Sequence, residues 1–277
     1  MNKIAAIQMA SGSNVSANLI EVEREIRKAS QAGASLIVLP ENFSIMGHED
    51  AAQIDVAETE GSGPIQNFLS EQAKKYKVWL IAGTIPIKSN NEKKVYAACL
   101  VYNEQGQLIK RYNKIHLFDV FLETHGEIYK ESETFEAGEE VIVVETPFGK
   151  VGLAICYDLR FPELFRKLIQ MGAEIIVVPS AFTAATGKAH WEVLLRARAV
   201  ENLCYIIAPN QGGYHVSGRE TYGHSMIVDP WGTTLDILPQ GAGCVIADVD
   251  IGNVKKLREN FPVLEHRRIP CTLPTEF

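Results

Sequence analysis

The sequence predicts an α/β protein built as a layered sandwich. Short apolar runs of strand length alternate with helical stripes along most of the chain, and antiparallel hairpin signals lie between them. Helices that repeatedly cover strands, with strands enough for two sheets, favour a sandwich over a single open sheet.

Residues 3–9 read as the first strand. Residues 15–32 carry Leu19, Val22, Ile26 and Ala29 on one helical stripe, and Gly33 closes that helix. Residues 35–39 form a buried strand that ends at Leu39-Pro40-Glu41-Asn42. A helix over 64–76 and a strand over 78–85 repeat the alternation. Residues 95–102 and 107–112 flank Asn103-Glu104-Gln105-Gly106 as a hairpin. The run 149–155 is a continuous apolar strand ended by Cys156, followed by a helix over 161–171 with Pro162 near its first turn. A strand over 174–178 comes next. The last hairpin joins 222–228 to 233–238 through Asp229-Pro230-Trp231-Gly232. With no linker, low-complexity segment or repeat, residues 1–277 are expected to form a single domain.

Hydrophobic residues make up 46% and charged residues 22% of the 277, the composition of an ordinary globular protein with a sizeable core. The net charge of −7 argues against nucleic acid or an anionic membrane as partner, so an anionic substrate must be held by a few local cations. No apolar run approaches the roughly 20 residues that span a bilayer. The start of the chain lacks a long apolar segment of signal-peptide type, so a cytoplasmic location is expected. The cysteines at 99, 156, 204, 244 and 271 are odd in number and contain no CxxC pair, which speaks against a disulfide framework and a zinc site.

Three positions carry chemistry. Cys156 stands at a strand-to-helix corner, where an exposed thiol near a helix N-terminus favours thiolate and can be a nucleophile; the alternative is a buried cysteine at a strand end. Glu41 follows a strand end and is a candidate base, or a solvated loop acid. Lys114, also after a strand, can offer a fixed cation to an oxyanion, or be a surface lysine. From side-chain chemistry alone, a Cys-His dyad with His116 or His190 as base is the rival.

Together, Leu39-Pro40-Glu41-Asn42, Lys114-Ile115-His116-Leu117-Phe118-Asp119 and Gly152-Leu153-Ala154-Ile155-Cys156-Tyr157-Asp158-Leu159-Arg160-Phe161-Pro162-Glu163-Leu164 resemble the nitrilase superfamily of carbon–nitrogen hydrolases. The resemblance implies an αββα sandwich, usually paired into a homodimer or larger homo-oligomer, with neither metal nor cofactor. It also implies that Cys156 attacks a carbonyl, that Glu41 moves the proton, and that Lys114 with the Tyr157 N–H stabilises the oxyanion. A second glutamate beside the lysine falls on Glu131, in preference to Glu123, Glu127 or Glu133.

Downstream, Pro179-Ser180-Ala181-Phe182, Thr186-Gly187-Lys188-Ala189-His190-Trp191-Glu192 and Tyr222-Gly223-His224-Ser225-Met226 resemble the branch that contains deaminated glutathione amidase and ω-amidase, with wording nearer the former. That branch implies a small-molecule amide with a 2-oxo acid end. Arg160 is the expected carboxylate ligand, with pairing to Asp158 or Glu163 as the alternative. Phe182 and Thr183 are expected to wall the pocket, and Arg219, in a loop over 212–219, to meet a second carboxylate. His190, Trp191, Arg196, Arg198 and Glu201 share helical spacing and read as packing and ion-pairing residues; His116 and His224 read as structural.

Overall fold

The computed structural model describes residues 2–122 and 127–269. Glu123 and Cys271 therefore lie outside the described residues. The first half of the chain holds β1 (Asn2–Gln8), α1 (Val15–Gln31), β2 (Leu36–Val38), α2 (Ala52–Asp55), α3 (Pro64–Tyr76), β3 (Trp79–Ile81), β4 (Ile85–Lys88), β5 (Val95–Tyr102) and β6 (Leu108–Asn113). A two-stranded hairpin, β7 (Asp119–Leu122) and β8 (Glu127–Lys130), leads into β9 (Val143–Thr146) and β10 (Gly149–Leu153). Then follow α4 (Pro162–Gln170), β11 (Ile175–Val177), α5 (Ala184–Asn202), β12 (Tyr205–Ala208), β13 (Gly212–Tyr214), β14 (Glu220–Tyr222), β15 (Ser225–Val228), β16 (Thr234–Leu238), β17 (Gly243–Val249) and α6 (Ile251–Asn260).

Two sheets stack face to face. The seven-stranded sheet runs β17-β1-β2-β3-β5-β4, with β6 paired to β5; the six-stranded sheet runs β16-β15-β12-β11-β10-β9. Because side chains alternate along a strand, each strand of the first sheet serves two cores. Ile4 and Ala6 of β1, and Leu36 and Val38 of β2, join the core shared with the second sheet. Ala5, Ile7 and Ile37 instead pack with Val22, Ile26 and Ala29 of α1 and Leu69 and Ala73 of α3. Each such buried aliphatic contributes about 1.5–3 kcal/mol, so Ile26→Ala would loosen the outer layer. On the other side α4 and α5 cover the second sheet. Gly152 lets α4 approach, since a Cβ there would stand 3.1 Å from Leu168. The layers are thus αββα.

The α1 stripe is bounded as its residues predict: the Asn14 side chain accepts from the Ala17 N–H at 3.0 Å, and Gly33 at φ 93 ends the helix. Elsewhere three boundaries differ from the sequence reading. The strand expected over 78–85 is broken into β3 and β4 at Gly83, where φ is 41 and a Cβ would fall 1.9 Å from the Pro40 carbonyl oxygen. Only glycine lets the two segments pass so closely. The strand expected over 222–228 divides at Gly223 and His224, both in the left-handed region, and its first part pairs with β13. The segment expected to be a loop over 212–219 accordingly contains one strand of a hairpin. Among the described residues no helix is long and apolar enough to cross a membrane.

Candidate active site

Both sheets deliver side chains to one cavity. Glu41 follows β2 through Leu39-Pro40, held in place by the glycine passage at Gly83. Lys114 directly follows β6, and Glu131 opens a single 3₁₀ turn (Glu131–Glu133) after β8. Cys156 begins a 3₁₀ turn (Cys156–Arg160) after β10 of the second sheet. The Lys114 Nζ donates to Glu41 Oε1 at 2.8 Å and to Glu131 Oε1 and Oε2 at 2.8 and 2.9 Å. Glu41 Oε2 accepts from the Ala181 N–H at 2.8 Å, and Glu131 Oε2 from the Phe118 N–H at 2.6 Å. Every Lys114 ammonium hydrogen therefore has a carboxylate acceptor, which is what a buried cation requires.

Burial alone would depress Lys114, but the charges of Glu131 and Glu41 outweigh it and hold the ammonium pKa well above its ordinary value. Burial pushes Glu131 up, with Glu41 adding to the shift and Lys114 opposing it. The Cys156 thiol is raised by burial and then by the Glu41 charge, with Lys114 pulling the other way. Here the structure corrects the sequence reading. Cys156 is only 7% exposed, so the thiol is buried where an exposed one was expected, and that burial raises its pKa and disfavours the thiolate. Its backbone sits at φ 45, in the left-handed region.

The turn that carries Cys156 is fixed by Asp158, which is fully buried. Its carboxylate accepts from the Tyr112 hydroxyl at 2.6 Å, the Ile155 N–H at 2.8 Å, and the His116 N–H and Nδ1 at 3.1 and 2.7 Å. His116 also stacks on Phe161 at 3.7 Å. His190 Nδ1 lies 3.2 Å from Arg160 Nη1. Among the described residues neither histidine hydrogen-bonds the thiol, and the titratable groups that act on it are Glu41 and Lys114.

The cavity, about 520 Å³ with its open mouth, brings together all nine residues singled out from the sequence: Glu41, Lys114, Glu131, Cys156, Tyr157, Arg160, Phe182, Thr183 and Arg219. Among the described residues nothing accepts from the Tyr157 N–H. Arg160 stands over the rings of Phe182 and Tyr157 at 5.2 and 5.8 Å, and pairs with neither Asp158 nor Glu163. Phe182 leans on Trp191 at 5.0 Å. The Thr183 hydroxyl caps α5 and meets the Thr186 hydroxyl at 2.8 Å, so it is already engaged. Arg219 lies over the Tyr129 ring at 5.2 Å and donates from Nη2 to the Ala181 carbonyl at 2.5 Å. Trp191 is buried, and Arg198 pairs with Glu201 at 3.0 Å, the packing and ion-pairing expected of that helix; His190 is exposed beside Arg160.

Sequence reasoning missed the Ala181 N–H, the hub at Asp158 and the cavity-lining Asn42, Asp50 and Tyr129. Asp158 stood two residues from Cys156 and could have been found by asking which acceptor a strand-end turn needs. Among the described residues no group of three His, Cys, Asp or Glu side chains is placed to hold a metal ion.

A thiol, two carboxylates and a lysine gathered between two stacked sheets define a hydrolase of amides. A carbon-nitrogen hydrolase family model matches residues 3–259, and the chain belongs to that family. More particularly, it is 41% identical over 272 residues to the deaminated glutathione amidase of Yersinia enterocolitica, covering 98% of this chain and 94% of that one. It is 44% identical over 266 residues to the protein of that name from Synechocystis, covering 95% and 97%. The human protein of that name is 38% identical, over 96% of this chain and 82% of its own. The C. elegans NitFhit crystal structure superposes with a TM-score of 0.89 at 39% identity; 96% of this chain matches, spanning 65% of that one. Saccharomyces cerevisiae Nit3, described as a member of branch 10 of the nitrilase superfamily, gives 0.86 at 33% identity over 97% of each chain.

Proposed function

We propose that the protein hydrolyses the amide of deaminated glutathione, giving 2-oxoglutarate and cysteinylglycine through a thioester on Cys156. The observation that carries the chemistry is the buried Glu41–Lys114–Glu131 array acting on the one cysteine that lines the cavity. The names of the relatives carry the substrate.

In this reading Glu41 takes the thiol proton as Sγ bonds to the carbonyl carbon, because a resting thiol must lose its proton to attack. The oxygen that becomes negative meets the unengaged Tyr157 N–H and the Lys114 charge. Since all three Lys114 hydrogens are already bonded to carboxylates, one of the two that chelate Glu131 must be shared with the oxyanion. Glu41 then passes its proton to the leaving nitrogen, and the C–N bond breaks to leave a thioester. Water, deprotonated by Glu41, attacks that carbonyl, and the proton returns to Sγ as the acid departs. Arg160, with no carboxylate partner among the described residues, is the proposed ligand of the 2-oxo acid carboxylate. Phe182 walls its side of the pocket.

The same reading takes the whole chain as one cytoplasmic domain working as a homodimer. The outward side of α5, where Val193 and Val200 are 60% and 47% exposed, is the face proposed to pair. Sedimentation of purified protein tests that. For the substrate, deaminated glutathione and 2-oxoglutaramate are offered side by side and released 2-oxoglutarate is followed. A higher kcat/KM on deaminated glutathione is expected. Preference for 2-oxoglutaramate would reassign the protein as an ω-amidase, and failure on both would overturn the 2-oxo acid reading.

A further inference from the structure

We propose that Arg219 is a positioning residue for Glu41, acting through the backbone of Ala181, and that it does not serve chiefly as a ligand for a second substrate carboxylate. This rests on the reading of Glu41 as the base.

The wall of the cavity formed by Ala181, Phe182 and Thr183 is held from outside by the β13–β14 hairpin. Tyr222 N–H donates to the Phe182 carbonyl at 2.9 Å, and Thr221 forms an antiparallel bridge to Thr183. Arg219 completes this edge through its 2.5 Å bond from Nη2 to the Ala181 carbonyl. The amide of that same residue points to the chemistry, donating to Glu41 Oε2 at 2.8 Å. A single residue's backbone thus has the guanidinium on its carbonyl and the carboxylate on its N–H. The guanidinium also lies over the Tyr129 ring, 5.2 Å from its centroid, a cation–π contact that favours this placement.

On its other side the wall is tied by conventional contacts: Phe182 N–H to Asn210 Oδ1 at 2.9 Å, and Ser180 N–H to the Pro209 carbonyl at 2.9 Å. Glu41 has its own backbone tie, since Gln211 Nε2 donates to its carbonyl at 3.0 Å. None of these three bonds fixes the Ala181 carbonyl. Among the described residues Arg219 is its only donor, so loss of the guanidinium frees the peptide that aims Oε2. A freed peptide misaims Oε2 at the reacting atoms, a loss felt in kcat on any substrate. A ligand role predicts something else: a loss confined to substrates that carry a distant carboxylate, felt in KM.

The test measures kcat and KM on deaminated glutathione and 2-oxoglutaramate for wild type, Arg219→Ala, Arg219→Gln and Glu41→Gln, with thermal melts to confirm folding. Arg219→Ala is expected to lower kcat roughly 10- to 100-fold on both substrates with little change in KM, the scale of a misaimed catalytic group. Arg219→Gln, whose amide can donate to the Ala181 carbonyl without charge, should recover part of the loss. A selective rise in KM for deaminated glutathione alone, or unchanged kcat in Arg219→Ala, overturns the proposal. Retained activity in Glu41→Gln would overturn the underlying base assignment instead.

Discussion

Lys114 and Arg160 face the same cavity but are held in opposite ways. Lys114 is 2% exposed and bonded at 2.8–2.9 Å to two carboxylates that are themselves fixed by backbone N–H groups. Among the described residues the Arg160 side chain has one bond, at 3.2 Å to a histidine ring, and otherwise lies on the faces of two aromatics. The first arrangement fixes the position of each group, as suits groups that must meet a reacting atom the same way in every turnover. The second leaves a cation whose hydrogen-bonding fork is largely unspent and free to accept a planar carboxylate. Reaction chemistry and recognition are thus separated by how many hydrogen bonds each cation has already made.

The sharpest way to break this comparison is at the nucleophile. Cys156→Ala is expected to cut turnover by roughly four to six orders of magnitude while the melting temperature stays near wild type, with Cys156→Ser close behind. Intact-mass spectra of wild type with a slow substrate should show the acyl group on Cys156. An adduct on another cysteine would sink the assignment. Because the thiol pKa is raised, iodoacetamide should react slowly at about pH 7 and faster as pH climbs.

The lysine half should fail structurally as well as chemically. Lys114→Met leaves Glu41 and Glu131 buried side by side and is expected to cost roughly 3–5 kcal/mol, read from the denaturant midpoint. Adding Glu131→Gln should recover part of that. On the recognition half Arg160→Lys should leave the fold alone and weaken both candidate substrates by about 1–3 kcal/mol, read from kcat/KM, since a point charge cannot reproduce two parallel bonds. Equal stability losses in the two lysine and arginine variants would erase the contrast between the halves.

The smallest effect is a pH dependence at His215, whose Nδ1 lies 2.8 Å from the Ser11 carbonyl and whose Nε2 lies 2.8 Å from the Thr221 hydroxyl. Burial holds its pKa below 6.5, the Ser11 carbonyl opposes, and the Arg219 charge adds to the lowering. The unfolded chain then binds a proton that the fold refuses. Stability is intact above pH 6.5 and declines as pH falls toward the folded value. Urea midpoints at about pH 7.5 and 5 should differ less in His215→Gln than in wild type.

The layers were legible because apolar runs such as residues 35–39 and the 15–32 stripe state their burial directly. The breaks at Gly83 and Gly223 were not, since a period of two says nothing about where another backbone comes close. At the site, Glu41, Lys114 and Cys156 could be read as strand-end residues, and their motifs gave the resemblance. The groups that aim them were hidden for a different reason. The Ala181 N–H and the Tyr157 N–H belong to the main chain, which every residue possesses, and only the fold decides which of them point into the cavity. The expected exposure of the thiol failed because sequence places Cys156 at a corner but not how deeply the second sheet buries it.

The left-handed backbone at Cys156 has an evolutionary corollary. A side chain bearing a Cβ is disfavoured there by roughly 1–2 kcal/mol, a cost glycine does not incur and asparagine bears more easily. Lineages or laboratory libraries screened for heat resistance alone should therefore accumulate glycine or asparagine at this position. Such descendants would keep the architecture, withstand higher temperatures, and be silent as catalysts.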